Sequence, residues 1–297
     1  MVALGASLWG TDTILRRPLT ASLSSTHIVL LEHLILSGAL AIPLWLMRSE
    51  WLALKPTQWG ALLGIAWGGS ALGTICFTQA IRIGNPTTAI LLQKSQPVFA
   101  ALLAWLLLRE PLGRRFWICL IVALAGAYVV NFGLAVPAAG IESEAALLAL
   151  AAAALWGGST VLGRFLLKSI SFVALTGLRI LLATPLLLAL NGTPAVALDS
   201  RQVFSLAMLA LVPGLLALLM YYRGLRHARA SRAAIAELSF AATATILNWM
   251  VLGTRVTAVQ LGGFAVLWGA ILSLNRSREE ESAREESEHQ RRLGVSR

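Results

Sequence analysis

Residues 87–108 read TTAILLQKSQPVFAALLAWLLL, an apolar stretch interrupted in its middle by QKSQP. A bilayer core about 30 Å thick takes roughly 20 apolar residues as a helix, and this stretch has that length. Lys94 lies about 12 Å from the start of such a helix at 1.5 Å per residue, too deep to reach the nearer interface easily. An ionised side chain at that depth costs about 2.5–3.5 kcal/mol on insertion scales. Three residues on, Pro97 is expected to remove one backbone hydrogen bond and free carbonyls near Gln93. A membrane helix tolerates this where protein or cavity water satisfies them.

The whole chain has the same character. Of 297 residues, 57% are hydrophobic and 13% are charged, against about a quarter charged in a soluble domain. Mean hydropathy is +0.75. Such a chain is an all-α integral membrane protein, and no segment alternates as a membrane barrel strand does. The net charge of +10 is assigned to orienting loops, so no nucleic-acid partner is expected. Cys76 and Cys119 fall in apolar spans and read as packing residues, without disulfide or metal. The opening MVALGASLWGTDTILRRPL lacks a basic n-region and reads as a short first span rather than a cleaved leader.

Ten spans are expected, at 2–17, 27–47, 59–81, 86–108, 115–134, 144–165, 171–190, 202–222, 232–252 and 257–275. Turn chemistry marks the joints, as at Gly84-Asn85-Pro86 and Asn191-Gly192-Thr193-Pro194. Residues 276–297 are almost wholly polar and read as a cytoplasmic tail, either disordered or a frayed surface helix. The two groups of five resemble each other. SLWGTDTILRR around Trp9 echoes ALWGGSTVLGR around Trp156, at an offset of about 147. An offset of 144 carries QAIR, from Gln79, onto RGLR, from Arg223, and Gln93 onto Glu237. This divides the chain into repeats at 1–138 and 139–275.

Five spans per repeat force the second to cross upside down. The basic residues agree. With the N-terminus inside, only Arg16, Arg17, Arg82, Arg201 and Arg255 fall outside, and Lys94 and Arg179 lie within spans. The other seventeen of 24 are internal, as the positive-inside rule requires. Both termini are then cytoplasmic in a cell (inner) membrane.

LWG in the first span, FTQAIRIGNPTTAILLQKSQPVFAALLAWLLLREPLG and LAGAYVV together resemble an EamA-type domain of the drug/metabolite transporter superfamily. The likeness runs from residue 3 to about 275, and it weakens where GTRVT stands in place of an acidic pattern like REPLG. It implies ten helices in two inverted five-helix repeats and export of a metabolite.

Inverted repeats let a central site open alternately to each side, and paired segments approach across the pseudo-twofold axis. Lys94 and Glu237, on matching spans, are therefore expected to face one cavity and to pair when it is empty. A structural ion pair, or a lysine reaching lipid phosphate, is the competing account. Gln93 and Gln96 serve either the kink or a ligand. Trp9, Trp156 and Tyr221 either line the cavity or simply pack. Asp12 is either a cavity carboxylate or an interface partner of Arg16 at i+4. Asp12, Glu32, His33 and Glu237 are the candidates for proton coupling, His33 because its free side chain titrates near physiological pH. A histidine buried on a hydrogen-bond partner is its duller account.

The expected function is secondary transport by alternating access, exporting an amino acid or similar small metabolite through the cell membrane. Membrane lipid and a small-molecule substrate are the partners, with protons as a coupling option. No cofactor, metal or enzymatic role is expected, and no nucleotide-binding G-x-x-x-x-G-K-[ST] motif occurs. The alternative is a lipid-headgroup-binding or accessory membrane subunit without solute transport.

Overall fold

The computed structural model describes residues 1–20, 22–84, 86–134, 143–191, 198–252 and 257–274. Among them every regular element is helical and none is a strand. In chain order they are α1 (Val2–Trp9), α2 (Asp12–Thr20), α3 (Ser25–Leu46), α4 (Arg48–Leu52), α5 (Pro56–Leu63), α6 (Gly73–Ile83), α7 (Pro86–Gln93) and α8 (Gln96–Leu108). There follow α9 (Arg114–Phe132), α10 (Ser143–Leu166), α11 (Phe172–Asn191), α12 (Ser200–Leu209), α13 (Ala217–Leu225), α14 (Ala230–Glu237) and α15 (Ser239–Leu252). The last is α16 (Ala258–Leu274). The expected tail at 276–297 and the repeat boundary at 138/139 lie outside the described residues.

Six stretches are long and apolar enough to span a membrane: Thr26–Leu46, Pro56–Ala80, Arg114–Phe132, Ser143–Leu166, Phe172–Asn191 and Ser200–Leu225. Each coincides with an expected span. Two of them contain π-helical turns, Gly64–Leu72 between α5 and α6 and Ala210–Leu216 between α12 and α13. Pro213, which has no N–H to give, sits inside the second. Such turns are rare and concentrate at functional sites.

Three expected spans are not continuous helices. The first breaks at Gly10-Thr11, where the Thr11 hydroxyl donates to the Leu8 carbonyl at 2.7 Å. The stretch 86–108 breaks at Lys94-Ser95, where the Ser95 hydroxyl donates to the Leu92 carbonyl at 2.6 Å. The stretch 232–252 breaks at Leu238, whose N–H turns to the Ile235 carbonyl three residues back. Pro97 accordingly does not kink a helix. It occupies the first turn of α8, where no N–H is required of it. An offset of 144 carries Lys94 onto Leu238, so the two breaks are equivalent.

Equivalent residues also meet. Ser37 on α3 and Thr184 on α11, 147 positions apart, are hydrogen-bonded at 3.0 Å. Seven residues further along α3, Leu44 lies against Gly177, seven residues back along α11, so these helices run past each other in opposite directions. Gln58 donates to Ser169 at 2.6 Å, and Gln202 donates to Ser22 at 2.7 Å. With 58 matched to 202 and 22 to 169, these contacts are reciprocal, as in a twofold interface.

Small residues let the pieces close. A Cβ on Gly157 of α10 would lie 2.9 Å from the Ala100 nitrogen and 3.0 Å from the Gln96 carbonyl oxygen. A Cβ on Gly5 would fall 2.6 Å from the Tyr221 nitrogen. Helix association in lipid depends on such close approach, and it brings α1, α8, α10, α13 and α14 to one place.

Candidate functional site

Glu237 ends α14 and is buried. Its Oε1 accepts hydrogen bonds from Tyr221 of α13 at 2.5 Å and Thr160 of α10 at 2.9 Å. Its Oε2 accepts one from Gln96 Nε2 of α8 at 2.5 Å. Gln96 Oε1 in turn accepts from Gln93 Nε2 at 2.8 Å, across the Lys94-Ser95 break. The amide at 96 is thereby oriented from both ends. Hydrogen bonds to a charged group are worth about 1.5–3 kcal/mol each, so the carboxylate is held by three neutral donors. None of these is a counter-ion.

Lys94 is buried beside this network, but the expected ion pair with Glu237 is absent. Its Nζ lies 3.5 Å from the centroid of the Phe240 ring, and no carboxylate lies within ion-pair distance of it among the described residues. The reason is local. Gln93 and Lys94 are adjacent and must point apart, so Gln93 joins the glutamine relay while the ammonium swings over Phe240. A cation on an aromatic face gains about 2 kcal/mol or more when desolvated, less than a buried charge ordinarily demands.

The remaining expected residues separate into three places. Trp9 joins the site, its ring 5.1 Å from that of Tyr221, and Tyr221 lies 5.4 Å from Tyr222. Trp156 lies elsewhere: its Nε1 donates to the Gly69 carbonyl of the first π-helical turn at 2.9 Å, and its ring sits 5.3 Å from Phe77. Asp12 is held by Arg16 through two hydrogen bonds at 2.7 and 2.5 Å, and Glu32 is the third member of that group. His33 is buried and donates from Nδ1 to the Val29 carbonyl of its own helix at 2.8 Å.

Several participants escaped the sequence reading. Thr160 falls one helical turn after Trp156, and Phe240 three residues after Glu237; nothing in their types announced them. Arg179 was visible as a charge in a span, but not its contacts, Nε to Ser70 at 2.6 Å and an NH1 donation to Tyr222 at 2.8 Å. Glu110, from REPLG, is buried and caps α14. It accepts from the Ala230 N–H at 2.7 Å, the Ser231 N–H at 3.0 Å and the Ser231 hydroxyl at 2.6 Å. A carboxylate at a helix N-terminus satisfies donors that the helix leaves over.

A broken pair of equivalent helices around a buried carboxylate suits a carrier, and comparison with known proteins decides the family. The EamA-like transporter family matches residues 1–132 and 143–276. The chain belongs to that family. Among EamA-type relatives, the riboflavin transporter ImpX of Fusobacterium nucleatum subsp. nucleatum is 31% identical over 298 residues, covering 93% of this chain and 96% of that protein. The uncharacterized transporter YwfM of Bacillus subtilis is 22% identical over 281 residues, covering 92% of each. A solved crystal structure shares the fold with a TM-score of 0.76 over 94% of this chain and 97% of its own, at 19% identity. This EamA-type chain is therefore a multi-pass membrane transporter by family.

Proposed function

We propose that the chain is a secondary transporter of the inner membrane that carries a small planar metabolite by alternating access, with riboflavin the first candidate. The observation that carries the reading is Glu237. Three neutral donors from α8, α10 and α13 hold it where the broken helices meet. Broken helices build substrate sites in inverted-repeat carriers. Riboflavin presents a flat ring with an imide edge, one N–H between two carbonyls. Glu237 offers an acceptor to that N–H, while Lys94 and the glutamines offer donors to the carbonyls. Trp9 and Tyr221 offer aromatic faces. The name of the Fusobacterium relative supports the choice of solute.

The same reading takes the chain as ten spans in two inverted halves, 1–138 and 139–275, with both termini cytoplasmic. Ser37 against Thr184 and the reciprocal glutamine–serine contacts support the pseudo-twofold relation. The distribution of arginine and lysine supports the orientation.

An exported amino acid is the second reading, favoured by one observation. Among the described residues neither Lys94 nor Glu237 has a counter-ion, and they stand at equivalent helix breaks, where an amino acid brings a carboxylate for one and an ammonium for the other. Counterflow into proteoliposomes preloaded with riboflavin, flavin mononucleotide or mixed amino acids decides between them. Riboflavin flux that falls at least about tenfold in Glu237→Gln, the loss of about 1.4 kcal/mol, supports the first reading. Amino-acid flux alone supports the second. Flux of neither, with lipid retained tightly, would leave a headgroup-binding accessory subunit and overturn both.

A further inference from the structure

A second charged cluster lies apart from the Glu237 network, on α2 and α3. Arg16 Nε and NH2 grip both oxygens of Asp12, and the same NH2 lies 3.6 Å from Glu32 Oε2. Two carboxylates thus share one guanidinium, an excess of one negative charge. Asp12 is engaged through both oxygens and its side chain is 34% exposed, whereas that of Glu32 is 13% exposed. The other oxygen of Glu32, Oε1, faces Gly214 in the π-helical turn, so close that a Cβ there would lie 2.8 Å from it.

Among the described side chains, nothing nearby cancels the excess. His33, next on α3, gives its Nδ1 proton to Val29. Arg179 of α11 keeps its charge, but its guanidinium turns to the hydroxyls of Ser70 and Tyr222 and makes no ion pair with Asp12 or Glu32. On α12 Arg201 is exposed, and on α6 there is Cys76, a thiol. Arg48 and Glu50 of α4 lie beyond the far end of α3, where Glu50 accepts from the Ser171 N–H. The turn Ala210–Leu216 and α15 bring no ionisable group. An uncompensated charge out of water is neutralised by proton uptake where one of its members can titrate.

We propose that Asp12, Arg16 and Glu32 form a proton-binding site, in which Glu32 takes the proton and Asp12 connects it to water. One proton from water adds to the Glu32 carboxylate, the cluster passes from one net negative charge to none, and release reverses the step. The site belongs to one half of the chain only. An offset of 147 places Arg179 at the Glu32 position, and an offset of 144 places Ser70 at that of Gly214. The second half therefore sets a guanidinium on a hydroxyl where the first sets a carboxylate on a glycine. A carrier of two matched halves needs such a difference to bind a proton in one conformation and not in the other. The coupling role rests on the transport reading, whereas the protonation does not.

Infrared titration of the full chain in lipid, following the carbonyl stretch of protonated carboxylic acid, tests the site without any solute. The wild type is expected to show a titrating band that is lost in Glu32→Gln. The same component is also lost in Asp12→Asn, because removing either carboxylate cancels the excess charge; it persists in Glu237→Gln. A spectrum that titrates identically in wild type, Glu32→Gln and Asp12→Asn overturns the proposal. A component lost in Glu237→Gln alone does the same. If the band behaves as expected but no solute moves, the site stands and only the transport reading falls.

Discussion

Tyr221 donates its phenolic hydrogen to Glu237 Oε1 at 2.5 Å while its ring lies 5.1 Å from Trp9. One side chain thus links the buried carboxylate to the aromatic wall beside it. Removing only the hydroxyl separates these roles.

Tyr221→Phe is expected to keep the fold and the ring contact with Trp9 while withdrawing one of three donors from Glu237. The loss, about 1.5–3 kcal/mol for a bond to a charged group, corresponds to a roughly tenfold or larger fall in solute affinity. Quenching of tryptophan fluorescence on titration with riboflavin reads it directly. Unchanged affinity would remove Tyr221 from the site.

Lys94→Met distinguishes a working lysine from a structural one. A side chain in a true buried ion pair is costly to truncate, about 3–5 kcal/mol. Among the described residues the Lys94 ammonium has only the Phe240 face, so the methionine variant is expected to match or exceed the wild type in thermal stability in detergent. Counterflow should fall about tenfold or more, in keeping with a lost charge-assisted contact. A marked drop in melting temperature with normal flux would return Lys94 to a structural role.

Glu110→Ala should destabilise the chain by about 2 kcal/mol, the upper range for losing a helix cap, because three donors at the start of α14 lose their acceptor together. Thermal melting measures it. The Glu110→Gln variant keeps one acceptor oxygen and should recover part of the difference.

Much of this architecture is legible in the residues because lipid simplifies the grammar. Backbone groups in hydrocarbon must bond internally, so apolar runs of the right length become helices, and six expected spans coincide with six apolar helices. Repeated motifs at offsets of 144 and 147 located the pairing of Glu237 with the 86–108 stretch, and both fall at a helix break. What the residues concealed was side-chain direction. Adjacent Gln93 and Lys94 cannot face the same way, and only the packed structure tells which joins Gln96. Thr160 and Phe240 were opaque for the same reason: a hydroxyl and a ring among apolar neighbours gain meaning from what stands opposite. Pro97 misled because proline inside a helix and proline opening one read alike until the break is placed.

Ser37 against Thr184 has a consequence for motion. If the two halves trade conformations to expose the other side of the membrane, each contact between positions i and j is replaced by the contact now made by their counterparts. A residue touching its own counterpart maps onto the same pair, so Ser37–Thr184 survives the trade. Gln58–Ser169 and Ser22–Gln202 map onto each other and survive as well. Gln96 and Glu237 do not, since their counterparts are Phe240 and Gln93. Oxidative cross-linking of a Ser37→Cys, Thr184→Cys pair should therefore leave counterflow intact, and arrest of flux would contradict the trade. The crossing of α3 and α11 then acts as a pivot, fixed while the half-helices around Glu237 change partners.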